Sequence, residues 1–468
     1  MNTDCEQIAS LVQAQRDFFC TGATLPTEFR KTQLKRLYAA LAAHEAEITA
    51  ALFADLKKSA LESYETEIAL VLAELRYALR HINSWTRPKR VRLSPMHFCS
   101  KARIYPEPHG VSLIMSPWNY PFLLTFSPLV SAIAAGNCAV IKPSQHAPHA
   151  SRVIASLIED TFDARHVCTV QGGREIDHPL LSQPFDFIFF TGSPAAGKAV
   201  AAAAAERLIP ICLELGGKSP CIVDGTANID IAARRIIWGK LLNAGQTCIA
   251  PDYVLVCTEV KEPLMQAMQR YIRLFYGSDP VHNAQYPCII NMHHFERLRA
   301  LADGSDKRNG AVRLDSLHLY DAESRKIAPV LLDNPHADAP VMQEEIFGPV
   351  LPVIAVADTH KALRFAAERP APLALYIFSE DKTVQRSVIS QLRCGGCCIN
   401  DTIMHIASPL LPFGGVGNSG HGRYHGKFGF DTFSHRKSVL KKSTRIDIQL
   451  RYPPHTDDKT AAAHLLMR

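Results

Sequence analysis

The most constraining feature of this sequence is a regular alternation of short apolar runs and helical segments, which begins near residue 110. Runs such as GVSLIMSP, NCAVIKPS and FDFIFFTGS end in turn residues, and segments of helical periodicity such as PFLLTFSPLVSAIAAG lie between them. Such alternation requires a mostly parallel sheet with helices on both faces, so the sequence predicts an α/β fold. Ligands of these sheets bind beyond the carboxyl ends of the strands, where we expect the functional residues.

The flanking parts of the chain have a different pattern. Residues 1–85 show helical spacing of apolar residues, and a second strand–helix alternation runs from about 215 to 395. Beyond it, PFGGVGNSGHGRYHGKFGF is rich in glycine and lacks apolar periodicity, which is typical of a functional loop in a folded enzyme. A chain of 468 residues is long enough for roughly three domains.

Composition excludes several classes of protein. The chain is 47% hydrophobic and 21% charged, which is typical of a globular protein rather than a disordered or fibrous one. Its net charge of +6 does not indicate nucleic-acid binding. Its 13 cysteines are too sparse for a disulfide framework, and neither a signal peptide nor an uninterrupted apolar run of about 18 residues is present. We therefore expect a soluble, cytoplasmic protein without a membrane span.

A glycine-containing turn follows the apolar run FDFIFF. The turn comprises Thr191, Gly192, Ser193, Pro194, Ala195, Ala196, Gly197 and Lys198. This spacing is close to that of a nucleotide-hydrolase phosphate loop, but Ala199 stands where a magnesium-binding hydroxyl is needed. The segment therefore predicts either a helix start whose backbone N–H groups hold a diphosphate or an ordinary tight turn.

Three further residues are candidates for chemistry. Cys248, in NAGQTCIAPDY, follows Gly245 and two polar residues; it is either a nucleophile or an inert packing thiol. A free thiol of pKa ~8.5 is mostly protonated at neutral pH, so a nucleophile here needs activation. Glu214, near the end of the apolar run ICLEL, is either ion-paired or a general base of raised pKa. Asn119, in SPWNYP, is either a turn residue or a hydrogen-bond donor to an oxyanion.

The cysteines Cys394, Cys397 and Cys398 imitate a zinc or redox motif. The sequence has no second cysteine pair at a suitable spacing, and His405 is the only nearby histidine. We expect these cysteines to have a packing role, and we predict no metal site.

Seven segments together resemble the NAD(P)-dependent aldehyde dehydrogenase superfamily, particularly its class 3 branch. They are SPWNYPFLLTFSPLVSAIAAGNC, IKPS, FFTGSPAAGK, LELGGKSP, GQTCIAPDY, EEIFGPV and LPFGGVGNSGHGRYHGKFGFDTFSHRKSV. They occur in the order of the family and cover residues from about 110 to 440. The resemblance implies an enzyme that oxidises an aldehyde to a carboxylic acid with NAD or NADP.

The resemblance also implies catalytic roles. Cys248 falls at the position of the family's nucleophile, Glu214 at its general base, and Asn119 at the amide that meets the oxyanion together with the backbone N–H of Cys248. The thiolate would add to the aldehyde, the thiohemiacetal would transfer a hydride to the nicotinamide, and the resulting thioester would be hydrolysed by water that Glu214 deprotonates.

The cofactor residues follow in the same way. Lys142 falls at the lysine that holds the adenosine ribose, and Trp118 lies along the cofactor cleft. Glu345 and Phe347 fall at the nicotinamide-ribose carboxylate and at the aromatic residue beside the nicotinamide. The turn beside the diphosphate comprises Gly192, Ser193, Pro194, Ala195, Ala196 and Gly197, with Ser193 as the hydroxyl contact.

One departure from the family pattern bears on the cofactor. After IKPS the family often carries a glutamate that binds the ribose hydroxyls, whereas this chain has Gln145. A carboxylate would repel a 2′-phosphate and a neutral amide would not, so we expect NADP to be accepted, alongside NAD.

The resemblance favours an apolar substrate, either an aliphatic or an aromatic aldehyde. The apolar side chains of Tyr120, Phe122 and Ile406 are candidates for its surroundings, although they could equally belong to the core. A coenzyme-A-acylating relative is disfavoured because that reaction needs no base and Glu214 is retained. A catalytically idle binding or structural protein on the same scaffold is disfavoured because Cys248, Glu214 and Asn119 are all present.

The resemblance implies a three-part architecture. Residues 1–87 and 106–213 would form a Rossmann-like cofactor-binding domain, and residues 214–394 an α/β catalytic domain. Residues 88–105 and 395–468 would form a small β oligomerisation element with a carboxyl-terminal tail. The family resemblance further suggests a homodimer.

Overall fold

The computed structural model describes residues 5–94, 97–306, 311–313 and 318–466. Its α-helices are α1 (Cys5–Cys20), α2 (Thr27–Ala43), α3 (Glu45–Leu56), α4 (Ala60–Ser63), α5 (Ala69–Trp85), α6 (Leu123–Ala135), α7 (Pro148–Thr161), α8 (Arg174–Leu181), α9 (Pro194–Glu206), α10 (Ile229–Leu241), α11 (Thr258–Tyr276), α12 (Met292–Asp306), α13 (Pro340–Gln343), α14 (Thr359–Ala367), α15 (Lys382–Gln391), α16 (Gly426–Thr432) and α17 (Asp457–Leu466). None of the helices within these ranges is long and apolar enough to span a membrane.

The strands alternate with these helices from residue 100 onward, as the apolar runs predict. They are β1 (Lys89–Val91), β2 (Ser100–Pro108), β3 (Val111–Met115), β4 (Cys138–Lys142), β5 (Val167–Thr169), β6 (Phe187–Gly192), β7 (Ile211–Leu215), β8 (Pro220–Val223), β9 (Tyr253–Cys257), β10 (Ala311–Arg313), β11 (Tyr320–Asp321), β12 (Lys326–Ile327), β13 (Val330–Asp333), β14 (Val350–Val356), β15 (Ala374–Phe378), β16 (Gly396–Ile399), β17 (Gly420–His421) and β18 (Ser434–Lys442).

The amino-terminal helices form because their apolar residues recur at helical spacing. In α5, Val71, Leu75, Ala78 and Ile82 lie along one buried stripe that faces the core. A π-helical turn, Tyr64–Ile68, connects α4 to α5 without a break in the helix. The prediction of a helical start to the chain is confirmed over the residues described.

The first large sheet has the strand order β17-β7-β6-β3-β4-β5. Its central strand β3 pairs in parallel with β4 and with β6, where Ile114 lies opposite Ile141 and Phe189. The strands β4 and β5 lie on one side of β3 in the sheet, and the later strands β6 and β7 lie on its other side. The strand order therefore reverses between β3 and β6, and a ligand crevice is expected beyond their carboxyl ends.

The second large sheet has the order β10-β13-β14-β9-β8-β15-β16, in which all pairs are parallel except β10 with β13. An antiparallel sheet, β1-β2-β18, joins the segment near residue 100 to the carboxyl-terminal region. The predicted α/β fold with two parallel-sheet units and a small β element is confirmed.

The third predicted part of the chain contributes strands to three of the four sheets among the described residues, all but the two-stranded sheet β11-β12. From residues 395–468, β16 pairs with β15 in the second sheet, β17 pairs with β7 in the first, and β18 pairs with β2. The carboxyl-terminal region therefore adds one strand to each of the two larger sheets. The proposed domain boundaries stay a prediction.

Candidate active site

A cavity of about 1270 Å³ opens at the crevice beyond the carboxyl ends of β3 and β6. It contains every residue that the sequence predicts for catalysis and for cofactor binding, apart from Gly197. Its walls include Trp118, Asn119, Lys142, Gln145, Gly192, Ser193, Pro194, Ala195, Ala196, Glu214, Cys248, Glu345 and Phe347. The topology thus brings together residues that are up to 229 positions apart, from Trp118 to Phe347.

Gly197 lies outside the cavity wall, one turn into α9. A Cβ atom there would lie 2.6 Å from the side chain of Leu215, at the end of β7. The glycine therefore allows α9 to pack closely against the sheet, which differs from the contact beside the diphosphate that the family resemblance implies.

Asn119 lies in the turn after β3 and is almost wholly buried. Its side-chain Nδ2 donates a hydrogen bond to the carbonyl of Gln246 at 3.0 Å. Its own carbonyl accepts hydrogen bonds from Asn243 Nδ2 at 2.8 Å and from Lys58 Nζ at 3.0 Å. These bonds fix the amide next to the segment that carries Cys248.

The segment before Cys248 is a tight turn with unusual backbone angles. Asn243 and Ala244 both have φ near 52°, and Gly245 has φ of 79°. A Cβ atom on Gly245 would overlap the carbonyl of Gly348, so a glycine is required at this position. The turn places Cys248 at the wall of the cavity, where it is only partly exposed.

The surroundings of Cys248 favour its neutral thiol over the thiolate. Burial raises its pKa above the usual value, and the negative charges of Glu345 and Glu214 raise it further. Hydrogen bonds from the backbone N–H groups of Cys248 and Ile249 act in the opposite direction. The nucleophile therefore needs a base or a nearby positive charge before it reacts.

Glu214 is the carboxylate predicted as the general base. Burial raises its pKa well above the usual value, and its Oε2 finds no hydrogen-bond partner among the described residues. A Cβ atom on Gly414 would lie 3.0 Å from Glu214 Oε1, so the glycine-rich carboxyl-terminal loop covers the carboxyl group closely. The carboxyl group lines the cavity, and its partnerless Oε2 is placed to take a proton from a water molecule there.

Glu345 is partly buried, and desolvation of its carboxyl group together with the charge of Asp252 raises its pKa to about 8. The backbone N–H of Gly217 donates to it, while Glu345 Oε1 has no partner among the described residues. A Cβ atom on Gly216 would overlap the carboxyl group, so the glycine leaves room for it. The free oxygen fits the hydroxyl of a nicotinamide ribose.

Two aromatic residues stand beside this carboxyl group. The rings of Trp118 and Phe347 meet edge to face at a centroid distance of 5.4 Å, and Phe347 has a left-handed φ of 53°. On its other side, Trp118 contacts the ring of His294, also at 5.4 Å. All three rings line the cleft.

The turn after β6 begins α9 at the cavity. Ser193 is the N-cap residue, and its Oγ accepts a hydrogen bond from the backbone N–H of Ala196 at 3.3 Å. Pro194 occupies the first helical position, where its lack of an N–H costs nothing. The positive end of the α9 dipole therefore points at the cleft and fits a diphosphate.

Basic and amide groups surround the far end of the cavity. Lys142 Nζ lies 3.1 Å from Asp177 Oδ1. The Gln145 amide lies over Gly173, where a Cβ atom would overlap it. Burial and the charges of Arg174 and Lys142 lower the pKa of His146. Together with the α9 start and Glu345, these groups fit a dinucleotide along the cleft.

The predicted surroundings of the substrate need a correction. Tyr120 and Phe122 are 6% and 1% exposed and belong to the main hydrophobic core, and Ile406 packs against the same core. None of the three lines the described cavity. The turn after β3 directs Tyr120 and Phe122 inward because α6, which follows directly, is buried on all sides.

The cysteine group at 394–398 makes one contact of chemical interest. Cys398 Sγ lies 3.2 Å from His405 Nδ1, and Cys397 and Cys398 both lie in β16. Within the described residues, the group whose ligand-type atoms lie within 4.8 Å of one another is instead Asp279, His282 and His318. There, Asp279 Oδ2 receives hydrogen bonds from both imidazoles.

The sequence analysis missed a buried ion pair behind Asn119. Lys58 Nζ lies 2.6 Å from Glu67 Oε1, and both side chains are fully buried. A signal was present, because Glu67 falls on the same helical stripe as Val71 and Ala78. A carboxylate on an otherwise apolar stripe indicates a buried partner.

The family model for the aldehyde dehydrogenase family matches residues 1–439. The chain belongs to the aldehyde dehydrogenase family. It is 48% identical over 438 residues to a 4,4'-diaponeurosporen-aldehyde dehydrogenase of Staphylococcus aureus, with 94% of each chain covered. It is 42% identical over 449 residues to the dimeric NADP-preferring aldehyde dehydrogenase of Mus musculus, covering 96% of this chain and 98% of the relative.

Solved structures give the same result. A substrate-bound structure of Staphylococcus aureus AldH superposes with a TM-score of 0.95 at 45% identity, and the match covers 98% of this chain and 99% of the other. This aldehyde dehydrogenase is therefore an enzyme that oxidises an aldehyde to the carboxylic acid with a nicotinamide dinucleotide.

Proposed function

We propose that this aldehyde dehydrogenase oxidises an apolar aldehyde, with Cys248 as nucleophile, Asn119 as oxyanion donor and Glu214 as base. The observation that carries the proposal is the convergence of these three side chains on one cavity. Each comes from a different segment, at the ends of β3 and β7 and before β9, so chance proximity in sequence does not explain it.

Attack on the aldehyde begins at the sulfur. The S–H bond of Cys248 breaks, its proton passes to solvent water, and the sulfur forms a bond to the carbonyl carbon while the carbonyl electrons move to oxygen. An amide nitrogen carries two hydrogens, and Asn119 uses one of them on Gln246. The second hydrogen and the backbone N–H of Cys248 then stabilise the oxyanion without any rearrangement.

A bound nicotinamide supplies the hydride acceptor and a positive charge that favours the thiolate. The residues of this chain then complete the reaction on the thioester. Glu214 takes a proton from water, the resulting hydroxide attacks the acyl carbon, and the carbon–sulfur bond breaks. The sulfur of Cys248 leaves as a thiolate and receives the proton that Glu214 had taken from water, so both groups return to their starting state.

Retention of a buried Glu214 in the cavity wall, with Oε2 free of any partner among the described residues, supports hydrolysis rather than transfer to coenzyme A. Hydrolysis needs a base and transfer to a thiol does not. The presence of all three catalytic residues in one cavity likewise disfavours an idle binding protein.

We propose that the enzyme accepts NADP as well as NAD. Gln145 is uncharged where the family often carries a glutamate, and Arg174 and His146 stand near Lys142 at the same end of the cleft. Arg174 and Lys142 offer positive charge to a 2′-phosphate. The name of the mouse relative, which describes it as NADP-preferring, supports the same assignment.

The apolar character of the substrate rests on two observations. The Staphylococcus aureus relative is named as a dehydrogenase of 4,4'-diaponeurosporen-aldehyde. In this chain, Met115, Trp118, Leu124 and Phe347 line the cavity, and such walls exclude water from a bound apolar chain.

A homodimer in the cytoplasm is the proposed form of the protein. The strand β18 is exposed over most of its length, with Val439 and Leu440 38% and 52% exposed, and it offers a sheet edge to a second copy. The mouse relative is named as dimeric. All cysteines whose side chains are described are unpaired, which suits a reducing compartment.

The test is a comparison of Cys248→Ala with Cys394→Ala, a partly buried cysteine outside the cavity. We expect the unmodified enzyme and Cys394→Ala to form reduced cofactor and carboxylic acid from a medium-chain aldehyde. Cys248→Ala should form neither above background. Undiminished turnover by Cys248→Ala, or no product from the unmodified enzyme across a broad aldehyde panel, would contradict the proposal.

A further inference from the structure

A fully buried ion pair lies behind Asn119, outside the cavity wall. Lys58 Nζ and Glu67 Oε1 are 2.6 Å apart, and neither side chain is exposed to solvent. Burial of two charges is costly, and a pair of well-packed apolar residues is often as stable or more stable. Stability of the core alone therefore does not account for charges at this place.

The hydrogen bonds of the pair are all made to one short segment. Lys58 Nζ donates to the carbonyl of Asn119 at 3.0 Å. Glu67 Oε2 accepts the backbone N–H of Phe122 at 2.8 Å and of Leu123 at 3.4 Å. The two side chains thus hold both ends of the turn that carries the oxyanion amide.

The same lysine is linked to the turn before the nucleophile. Its Nζ lies 3.9 Å from the centre of the Tyr120 ring, a cation–π contact. The Tyr120 hydroxyl is 2.7 Å from Oγ1 of Thr247, which directly precedes Cys248. Lys58 therefore connects the Asn119 turn to the segment of the nucleophile.

The helical segment that carries Glu67 contacts both loops of the site. Glu67 lies in the π-helical turn Tyr64–Ile68, and such turns are rare and frequent at functional sites. One turn earlier, Glu62 Oε1 accepts the backbone N–H of Asn243 at 2.7 Å, and Asn243 in turn binds the Asn119 carbonyl. Glu62 and Glu67 therefore each bind one of the two loops of the site.

We propose that Lys58 and Glu67 are positioning residues for aldehyde oxidation, which hold the Asn119 amide at the place where the oxyanion forms. The inference rests on the proposed role of Asn119. It makes neither residue a contact of the substrate or the cofactor. Because both act through the backbone of the turn that carries Asn119, their loss should lower kcat and leave the KM values for aldehyde and cofactor nearly unchanged.

The first test removes both charges at once. A single change would leave an unpaired buried charge and could prevent folding, so the informative variant is Lys58→Met with Glu67→Met, an apolar pair of similar volume. We expect a thermal unfolding midpoint near that of the unmodified enzyme and a kcat lowered roughly 10- to 100-fold, because small displacements of catalytic groups are costly. If the double variant keeps both the unfolding midpoint and the kcat of the unmodified enzyme, the proposal is overturned, because apolar side chains then serve as well as the ion pair.

The second test is a cycle with Asn119→Ala. If the pair acts through Asn119, the double methionine change should lower kcat by less than about twofold when Asn119 is already alanine. An equal loss in both backgrounds would overturn the inference. If Asn119→Ala by itself leaves kcat unchanged, it is the proposed role of Asn119 that fails, so the two failures are distinguishable.

Discussion

The side-chain amide of Asn119 donates to the carbonyl of Gln246 at 3.0 Å, and Gln246 lies two residues before Cys248. This bond joins the turn after β3 to the turn that presents the nucleophile. It also fixes which of the two amide hydrogens remains for a ligand. The oxyanion donor is therefore oriented before substrate binds, which is the condition for electrostatic stabilisation without reorganisation.

Asn119→Ala should lower kcat by about 10² to 10³, the usual effect of removing one oxyanion donor. The KM for cofactor should stay nearly constant, because the amide acts on charge that develops only during the reaction. Steady-state kinetics check this, with thermal unfolding as a control for folding. An unchanged kcat would show that the oxyanion is stabilised elsewhere.

Glu214→Gln should separate the two halves of the reaction. Hydride transfer does not need the base, so one equivalent of reduced cofactor should still form in a rapid burst, whereas hydrolysis of the thioester should become slow. Rapid mixing measures the burst, and mass spectrometry should detect an acyl group on Cys248. The exposed Glu206→Gln is the matched control and should behave as the unmodified enzyme. Loss of the burst in Glu214→Gln would argue against this division of roles.

Gln145→Glu should change the cofactor preference. A carboxylate near the ribose would repel a 2′-phosphate, so kcat/KM for NADP should fall at least about tenfold while that for NAD changes little. The measurement is kcat/KM with both cofactors for both proteins. An equal effect on NADP and NAD, or a thousandfold preference of the unmodified enzyme for NAD, would contradict our assignment of NADP.

Glu345→Gln should alter the pH dependence of stability. The pKa of Glu345 is raised to about 8 in the fold, so between its ordinary value of 4.5 and 8 the folded protein keeps a proton that the unfolded chain loses. Ionisation of Glu345 should therefore lower the free energy of unfolding of the unmodified enzyme as the pH rises from 4.5 to 8. The Glu345→Gln variant lacks this group and should not show the decrease.

The difference in unfolding midpoint between Glu345→Gln and the unmodified enzyme should move in favour of the variant from pH 5 to pH 8. Thermal unfolding at several pH values measures it. A difference that stays constant with pH would mean that Glu345 ionises in the folded protein as it does in the unfolded chain.

Much of the site followed from local patterns. Strand ends such as Met115 and Gly192 could be placed because apolar runs and turn residues mark them in the sequence, and parallel strands bring their carboxyl ends to one edge. The family resemblance then supplied roles for Cys248 and Glu214. The structure brings both to the same cavity wall.

Other features could not be predicted from neighbouring residues in the chain. Tyr120 and Phe122 have the composition of a substrate pocket, yet they face the core because α6 is buried on all sides. Gly197 belongs by sequence to the diphosphate turn, yet it allows α9 to approach Leu215. In each case the outcome depends on which element packs against the residue.

The sequence alone determined where strands and helices form, which face of each is apolar, and which chemical groups stand at the turns. These properties are local, because hydrophobic periodicity and turn chemistry act over a few residues. Only the tertiary structure decided the electrostatic environment of those groups. Contacts between distant segments raise the pKa values of Cys248 and Glu345. They also form the hydrogen bond from Lys58 to the carbonyl of Asn119. Burial removes water from a charged group, so its hydrogen-bond partners must come from other parts of the folded chain.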